Sequence, residues 1–282
     1  MIIVADSGST KTSWLVVSDQ GEKLFEETTE GLNPAVFPVD ELLSRVLSNK
    51  VLVDISSQIK TLHFFGAGCG TEKPRLIIAE VLQSVFKNAK VNIKEDTEVA
   101  VMATTNKEPA IVCILGTGSN CSYFDGEKIH QKVVSLGYII MDDASGNYFG
   151  KQLLKTYYFN QMPADLAQKF EESYNLDADY IKENLYRKSN PNTYLADLGH
   201  FIIDQKNHPF CQKIIKEGLQ MFVENQILQF KEAKQVPINF VGSIAHFLND
   251  EIVSTLKENG LTLGVIQRHP IKGFVEKHIV LN

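Results

Sequence analysis

Residues 2–17 read IIVADSGSTKTSWLVV. Four apolar residues run into Asp6, a short stretch of Gly, Ser, Thr and Lys follows, and a second apolar run begins at Trp14. Two buried strands joined by a tight turn give that pattern. The turn holds more chemistry than a hairpin requires, since Asn-Gly would close a purely structural one. A carboxylate at a strand end, Asp6, suits the hydration shell of a Mg²⁺ ion. Gly8 lets backbone N–H groups come close to an anion, and the hydroxyls of Ser9, Thr10 and Thr12 can donate to phosphate oxygens. Two readings therefore stand side by side: a polar β-turn, or a hairpin that holds phosphate and metal.

Working outward, residues 23–29 (KLFEETT) form a third strand after the turn DQGEK. A helix follows over 38–49 with Pro38 at its start, then a strand TLHFFG (61–66), a helix over 73–88, a strand VNIKED (91–96) and a short helix beginning just after Asp96. The pattern breaks at residues 104–109 and restarts. AIVCIL (110–115) is a strand, GTGSN (116–120) a Gly-rich turn, CSYF (121–124) a strand and DGEK a tight turn. Residues 145–235 are mainly helical, with one long helical segment from Pro209 to Lys234. The tail returns to α/β: a strand at VPINFVG, one helix over 243–259, a strand LTLGVI and a last helix over 271–281. The two halves share one plan, because residues 2–26 and 110–131 each run strand, Gly-Ser-Thr turn, strand, turn with Glu-Lys, strand. A duplication that places a site between the copies is the expectation, since sites favour domain interfaces.

Bulk composition excludes several classes. The 282 residues carry a formal net charge of −6 and no basic tract, so nucleic acid is not an expected partner. No apolar run reaches the ~20 residues of a membrane span, and the N-terminal run stops at Asp6, too soon for a signal peptide. Cys69, Cys113, Cys121 and Cys211 form no CxxC and no zinc spacing. Such sparse cysteines suit a reducing compartment, and a cytoplasmic protein is expected.

The remaining motifs are ambiguous taken singly. Gly116, Thr117, Gly118 and Ser119 repeat the chemistry of the first loop without its acid, and would clamp phosphates from the other side. No GxxxxGK[ST] occurs. FFGAGCG resembles a dinucleotide fingerprint, but Thr71 stands at its third glycine; Gly66 and Ala67 would instead let a substrate approach the backbone. Asp96 is a helix N-cap or a general base. Asp142 and Asp143, before a helix of small residues, cap that helix or line a site. Gly242 and Ser243, between a strand and a helix, lie against a nucleotide or simply pack tightly.

Together, ADSGSTKT, EDTEVAVMAT, GTGSNC, GYIIMDDASG and FVGSIAH, in that order over nearly the whole chain, resemble the N-acetylglucosamine kinase branch of the BadF/BadG/BcrA/BcrD-type ATPases, within the actin-like sugar kinase superfamily. The resemblance implies an α/β fold of two ribonuclease H-like (actin-like ATPase) domains flanking a nucleotide cleft. The domains would be residues 1–106, joined by a C-terminal helix 270–282, and residues 107–269 with a helical insert. It implies ATP and Mg²⁺ as cofactors, with Asp6 at the metal. Gly8, Ser9, Thr10, Lys11, Thr12, Gly116, Thr117, Gly118, Ser119, Gly242 and Ser243 would bind ATP. Asn33, Gly66, Ala67, Asp96, Asp142 and Asp143 would bind the sugar, with Asp96 as the catalytic base. The implied reaction moves the γ-phosphoryl group of Mg·ATP to the 6-hydroxyl of N-acetylglucosamine. The alternatives are a kinase for glucosamine or N-acetylmuramic acid, or an activator-type ATPase that holds an Fe–S cluster through cysteines. An amino sugar and ATP are the expected partners, with neither nucleic acid nor membrane, and a homodimer is the candidate assembly. Met141 and Ala144 stand where the family has glycines.

Overall fold

The computed structural model describes residues 1–8, 11–188 and 190–280. The chain divides into two compact units: Met1–Asn106 together with the C-terminal segment from His269, and Lys107–Arg268.

The first unit is built on strands β1 (Ile2–Ser7), β2 (Lys11–Val17), β3 (Lys23–Glu30), β4 (Thr61–Gly66) and β5 (Lys90–Glu95), in the order β3-β2-β1-β4-β5. The β1–β2 and β2–β3 pairs are antiparallel and β1–β4 and β4–β5 parallel. β1 is central, and its alternation sorts two cores. Ile3 and Ala5 join Trp14, Val16, Phe64 and Phe86 on one face, while Val4 joins Leu15, Val17 and Phe65 on the other. Burial on both faces is why β1 reads as an unbroken apolar run. Helices α1 (Val39–Leu47), α2 (Lys50–Asp54), α3 (Glu72–Val85) and α4 (Asp96–Thr104) complete the sequential part. α2 is absent from the sequence reading. It is one turn long, too short for a periodic signal, and is set by Asn49, whose side chain accepts the Leu52 N–H.

The second unit repeats that topology. Strands β6 (Ala110–Leu115), β7 (Ser119–Phe124), β8 (Ile129–His130), β9 (Ile238–Val241) and β10 (Leu263–Gln267) lie in the order β10-β9-β6-β7-β8, with antiparallel and parallel pairs placed as in the first sheet. Between β8 and β9 come α5 (Gly146–Tyr158), α6 (Ala164–Ser173), α7 (Ala178–Tyr186), α8 (Pro191–Asp204) and α9 (Pro209–Asn225). α7, capped by Asp177, was not expected. α9 ends at Asn225, nine residues short of the expected Lys234, and gives way to a 3₁₀ turn at Ile227–Gln229. The single helix expected after β9 is two, α10 (Ser243–Phe247) and α11 (Asn249–Glu258), because Leu248 leaves helical geometry at ψ 27°.

α12 (Pro270–His278) belongs to the first unit. Its Ile271, Phe274 and Val275 fill the core beneath Val4 and Val99, and Gly273 packs on Ala103 of α4. Among the described residues no helix is long and apolar enough to cross a membrane.

Candidate active site

The carboxyl ends of the parallel strands β1, β4 and β5 carry Asp6 and Ser7, Gly66, and Glu95 respectively. That edge is where open α/β sheets bind ligands. The loop after β1 is closed by the Gly8 N–H donating to the Lys11 carbonyl at 3.0 Å. Ser9 and Thr10, expected at the phosphates, lie outside the described residues. Thr12 is fully buried. Its hydroxyl pairs with Ser7 Oγ at 2.7 Å and donates to the Glu30 carbonyl at 3.1 Å, while Ser7 Oγ accepts the Leu32 N–H at 2.9 Å. The Thr12 hydroxyl, expected at the phosphates, has these partners within the protein and stitches the hairpin to the end of β3. Lys11 is exposed.

Asp6 is partly buried. Burial, and then the charge of Asp96, pushes its carboxyl up to about 7. Asp96 is pushed up to about 6, by burial first and by Glu95 second, against the pull of the Thr97 N–H, which donates to it at 2.9 Å. Asp96 is the first residue of α4 and not its cap. Glu95 is the cap, in a reciprocal capping box with Glu98. Asp96 is thus a carboxylate with a raised pKa that itself accepts the N–H of the next residue, at a helix start whose N-cap is Glu95.

Beside it lies the 66–70 loop. The Ala67 N–H donates to the Ser7 carbonyl at 2.8 Å, which fixes the loop to the end of β1. Gly68 has φ +79°, and a Cβ there would sit 2.2 Å from Asn33 Oδ1. Asn33 is buried and its Oδ1 accepts the Ala35 N–H at 2.9 Å. Cys69 is buried next to Asp96, and burial pushes its thiol up to about 12. Asn33, Gly66, Ala67, Asp6 and Asp96 thus share one region of the first unit.

In the second unit the β6–β7 turn is closed by the Gly116 N–H donating to the Gly118 carbonyl at 3.0 Å. Its outer carbonyls meet the start of α5: Gly146 N–H donates to Gly116 and Asn147 N–H to Thr117, at 2.9 and 3.0 Å. Gly242, at φ +119°, brings the β9–α10 turn against this loop, and a Cβ there would lie 2.3 Å from the Leu115 carbonyl oxygen. Ser243 opens α10. Gly116, Thr117, Gly118, Ser119, Gly242 and Ser243 are therefore neighbours.

Asp142 sits with them. It is buried, at φ +69°. Its carboxylate accepts from the Ser119 N–H and from Asn147 Nδ2 at 3.2 Å, and a Cβ on Gly118 would be 2.7 Å from Asp142 Oδ2. Burial raises its pKa, and those two hydrogen bonds oppose the rise. Asp143 accepts from Asn225 Nδ2 at 3.0 Å. The helix cap between the two readings is Ser145, whose Oγ accepts the Tyr148 N–H. Ala144 holds φ +57° where the family has glycine. Ser119 Oγ and Asn147 Oδ1 are buried without a partner, which marks Asn147 as a polar site residue that the sequence reading missed. An Asn one residue inside a predicted helix start was the available signal.

A crystal structure of a provisionally named N-acetylglucosamine kinase from Porphyromonas gingivalis matches the chain with a TM-score of 0.91 at 32% identity, over 99% of this chain and 99% of its own. A second provisionally named N-acetylglucosamine kinase, from Chromobacterium violaceum, shares the fold with a TM-score of 0.69 at 15% identity, over 98% and 97% of the two chains. Among curated proteins, the N-acetylmuramic acid/N-acetylglucosamine kinase of Clostridium acetobutylicum is 26% identical over 160 residues. That match spans 55% of this chain and 52% of the relative, about half its length. No protein-family model matches the sequence.

Proposed function

The chain belongs to the N-acetylglucosamine kinase branch of the BadF/BadG/BcrA/BcrD-type ATPases, and from that premise we propose that it transfers the γ-phosphoryl group of Mg·ATP to the 6-hydroxyl of N-acetylglucosamine. The observation that carries the reading is the pair of partly buried carboxylates, Asp6 and Asp96, both with raised pKa, beside Asn33 and the Gly66–Gly68 loop.

In this reading Asp96 accepts the proton of the attacking hydroxyl. A base with a pKa near 6 is ionised at neutral pH and still basic enough to take that proton. Asn33 and the loop that begins at Gly66 and Ala67 would meet the sugar. Gly8, Lys11 and the Gly116–Ser119 loop attend the phosphates, with Gly242 and Ser243 at the nucleoside. Asp142 and Asp143 serve the sugar through acceptor positions their present partners leave open. A divalent cation fits the first unit, because two neighbouring carboxylates raised by burial are the charge that a hard cation offsets. Mg²⁺ keeps most of its waters and needs only one or two carboxylates, and among the described residues no three His, Cys, Asp or Glu gather into a full cage. Asp6 would hold it, and the ion would neutralise phosphate charge during transfer.

The activator-type alternative needs cysteines that reach a cluster, and all four thiols are buried. The test is ADP formation across a panel of N-acetylglucosamine, N-acetylmuramic acid, glucosamine and glucose. Turnover highest with N-acetylglucosamine is expected. Sugar-independent ATP hydrolysis with no amino-sugar turnover would sink the proposal.

A further inference from the structure

Arg75 lies outside every motif read from the sequence, on the first turns of α3. Its guanidinium reaches in two directions. Nε donates to the Cys69 carbonyl at 2.5 Å, and Nη2 donates to Glu98 Oε1 at 3.2 Å. Cys69 belongs to the loop that carries Gly66, Ala67 and Gly68. Glu98 closes the first turn of α4: its Oε1 also accepts the Glu95 N–H at 3.3 Å, and its own N–H is held by the Glu95 side chain. Lys94 pairs with the other oxygen, Glu98 Oε2, at 3.1 Å. Charge neutralisation of Glu98 is therefore already available from Lys94, and what Arg75 alone adds is the tie to the loop carbonyl. A planar fork serves two fixed acceptors at once, which an ammonium on a flexible stem does not.

We propose that Arg75 is a positioning residue: by bridging the Cys69 carbonyl and Glu98 it holds the Gly66–Gly70 loop in register with the first turn of α4, and so sets the sugar hydroxyl against Asp96. The proposal rests on the kinase reading for its catalytic consequence, and on geometry within one unit for the bridge itself. Displacing a reacting pair by about 1 Å costs up to ~10²-fold in rate, so Arg75→Ala should lower kcat by roughly 10- to 10²-fold and raise KM for the sugar. KM for ATP should hold.

Two arms test this. In steady-state kinetics, Arg75→Lys should fail to restore kcat, whereas guanidinium ion at a non-denaturing concentration should partly rescue Arg75→Ala. An arginine that only stabilises the fold would cut the active fraction and leave KM for the sugar unmoved, and that result overturns the proposal. So does wild-type kcat and KM in Arg75→Ala. In hydrogen exchange on the same variant, amides of 66–70 and of 95–98 should both speed up. Faster exchange confined to α3 overturns the bridge. Wild-type protein that phosphorylates no amino sugar would defeat the kinase reading, while the exchange arm still decides the bridge.

Discussion

Gly68→Ala is the sharpest single perturbation of the sugar region. Gly68 sits at φ +79°, and its missing Cβ would meet Asn33 Oδ1 at 2.2 Å, Asn33 Cγ at 3.1 Å and Ala35 Cβ at 3.3 Å. Placing an L-residue in left-handed backbone costs about 1–2 kcal/mol. The clash adds more, because Asn33 is buried and can swing aside only by giving up the Ala35 N–H at 2.9 Å. Leaving that donor unsatisfied costs about 1–3 kcal/mol. The sum is on the order of 2–5 kcal/mol, which for a unit of this size is a fall of roughly 10 °C or more in melting temperature. Two neighbouring experiments separate the causes. Gly260→Ala has φ +67° and nothing within 4 Å, so it reads backbone strain alone. Gly70→Ala has no positive φ and meets the carboxylate of Glu95, at 2.9 Å, which caps α4, so it reads a displaced cap without backbone strain, about 0.5–2 kcal/mol. Thermal melts of the three variants, with KM for sugar and for ATP, make the assay. Gly68→Ala should lose more stability than Gly260→Ala and show a raised sugar KM with ATP KM intact. If it melts no lower than Gly260→Ala and uses sugar normally, the placement of Asn33 against the loop is wrong.

Asp96→Asn should lower kcat by about 10²–10⁴-fold with ATP binding preserved; near-normal turnover would remove Asp96 from the chemistry. In wild type, kcat should fall as pH drops through about 6, where Asp96 takes up its proton; a kcat flat from pH 8 to pH 5 counts against it. Asp6 has a folded pKa of about 7 against about 4 unfolded. Its protonated form is therefore the one that favours folding, and stability is lost as pH rises through that window. Asp6→Asn in chelator should thus melt higher than wild type at pH 8, with the difference nearly gone at pH 4; an equal melting temperature at pH 8 would refute the buried-carboxylate account. Gly118→Ala should weaken nucleotide binding through the contact at 2.7 Å with Asp142 Oδ2. Asp142→Ala in the same chain should recover part of that loss, so the two effects should fail to add; strict additivity would mean that the carboxylate does not shape the loop.

What the sequence determined by itself is what local chemistry encodes. Apolar runs of strand length, turn residues between them and a plan repeated at residues 2–26 and 110–131 led to two α/β halves with matching hairpins, and the two sheets have the same strand order read from β1 and from β6. The turns that carry Gly8, Gly116 and Gly242 were legible from their Gly, Ser and Thr between strands or strand and helix, and at Gly242 the φ of +119° and the Leu115 carbonyl oxygen 2.3 Å from a Cβ leave few residue types to choose from. Short elements such as α2 were not, since one turn carries no period. What only the tertiary structure decided is which polar group has its partner inside the protein. Thr12 reads as a phosphate-facing hydroxyl in a string, yet it pairs with Ser7 and the Glu30 carbonyl. Asp96 reads as a cap until Glu95 takes that place. Asp142 reads as a helix cap or a site acid in a string, and only the fold shows that it also holds the Ser119 N–H and Asn147. Arg75 reads as one more helix-surface charge until Cys69 and Glu98 converge on it from segments apart in the chain. In each case a hydroxyl, carboxylate or guanidinium has several possible partners of comparable net strength. Burial chooses among them, because only contacts made across the chain determine which groups lose their water and must be paired.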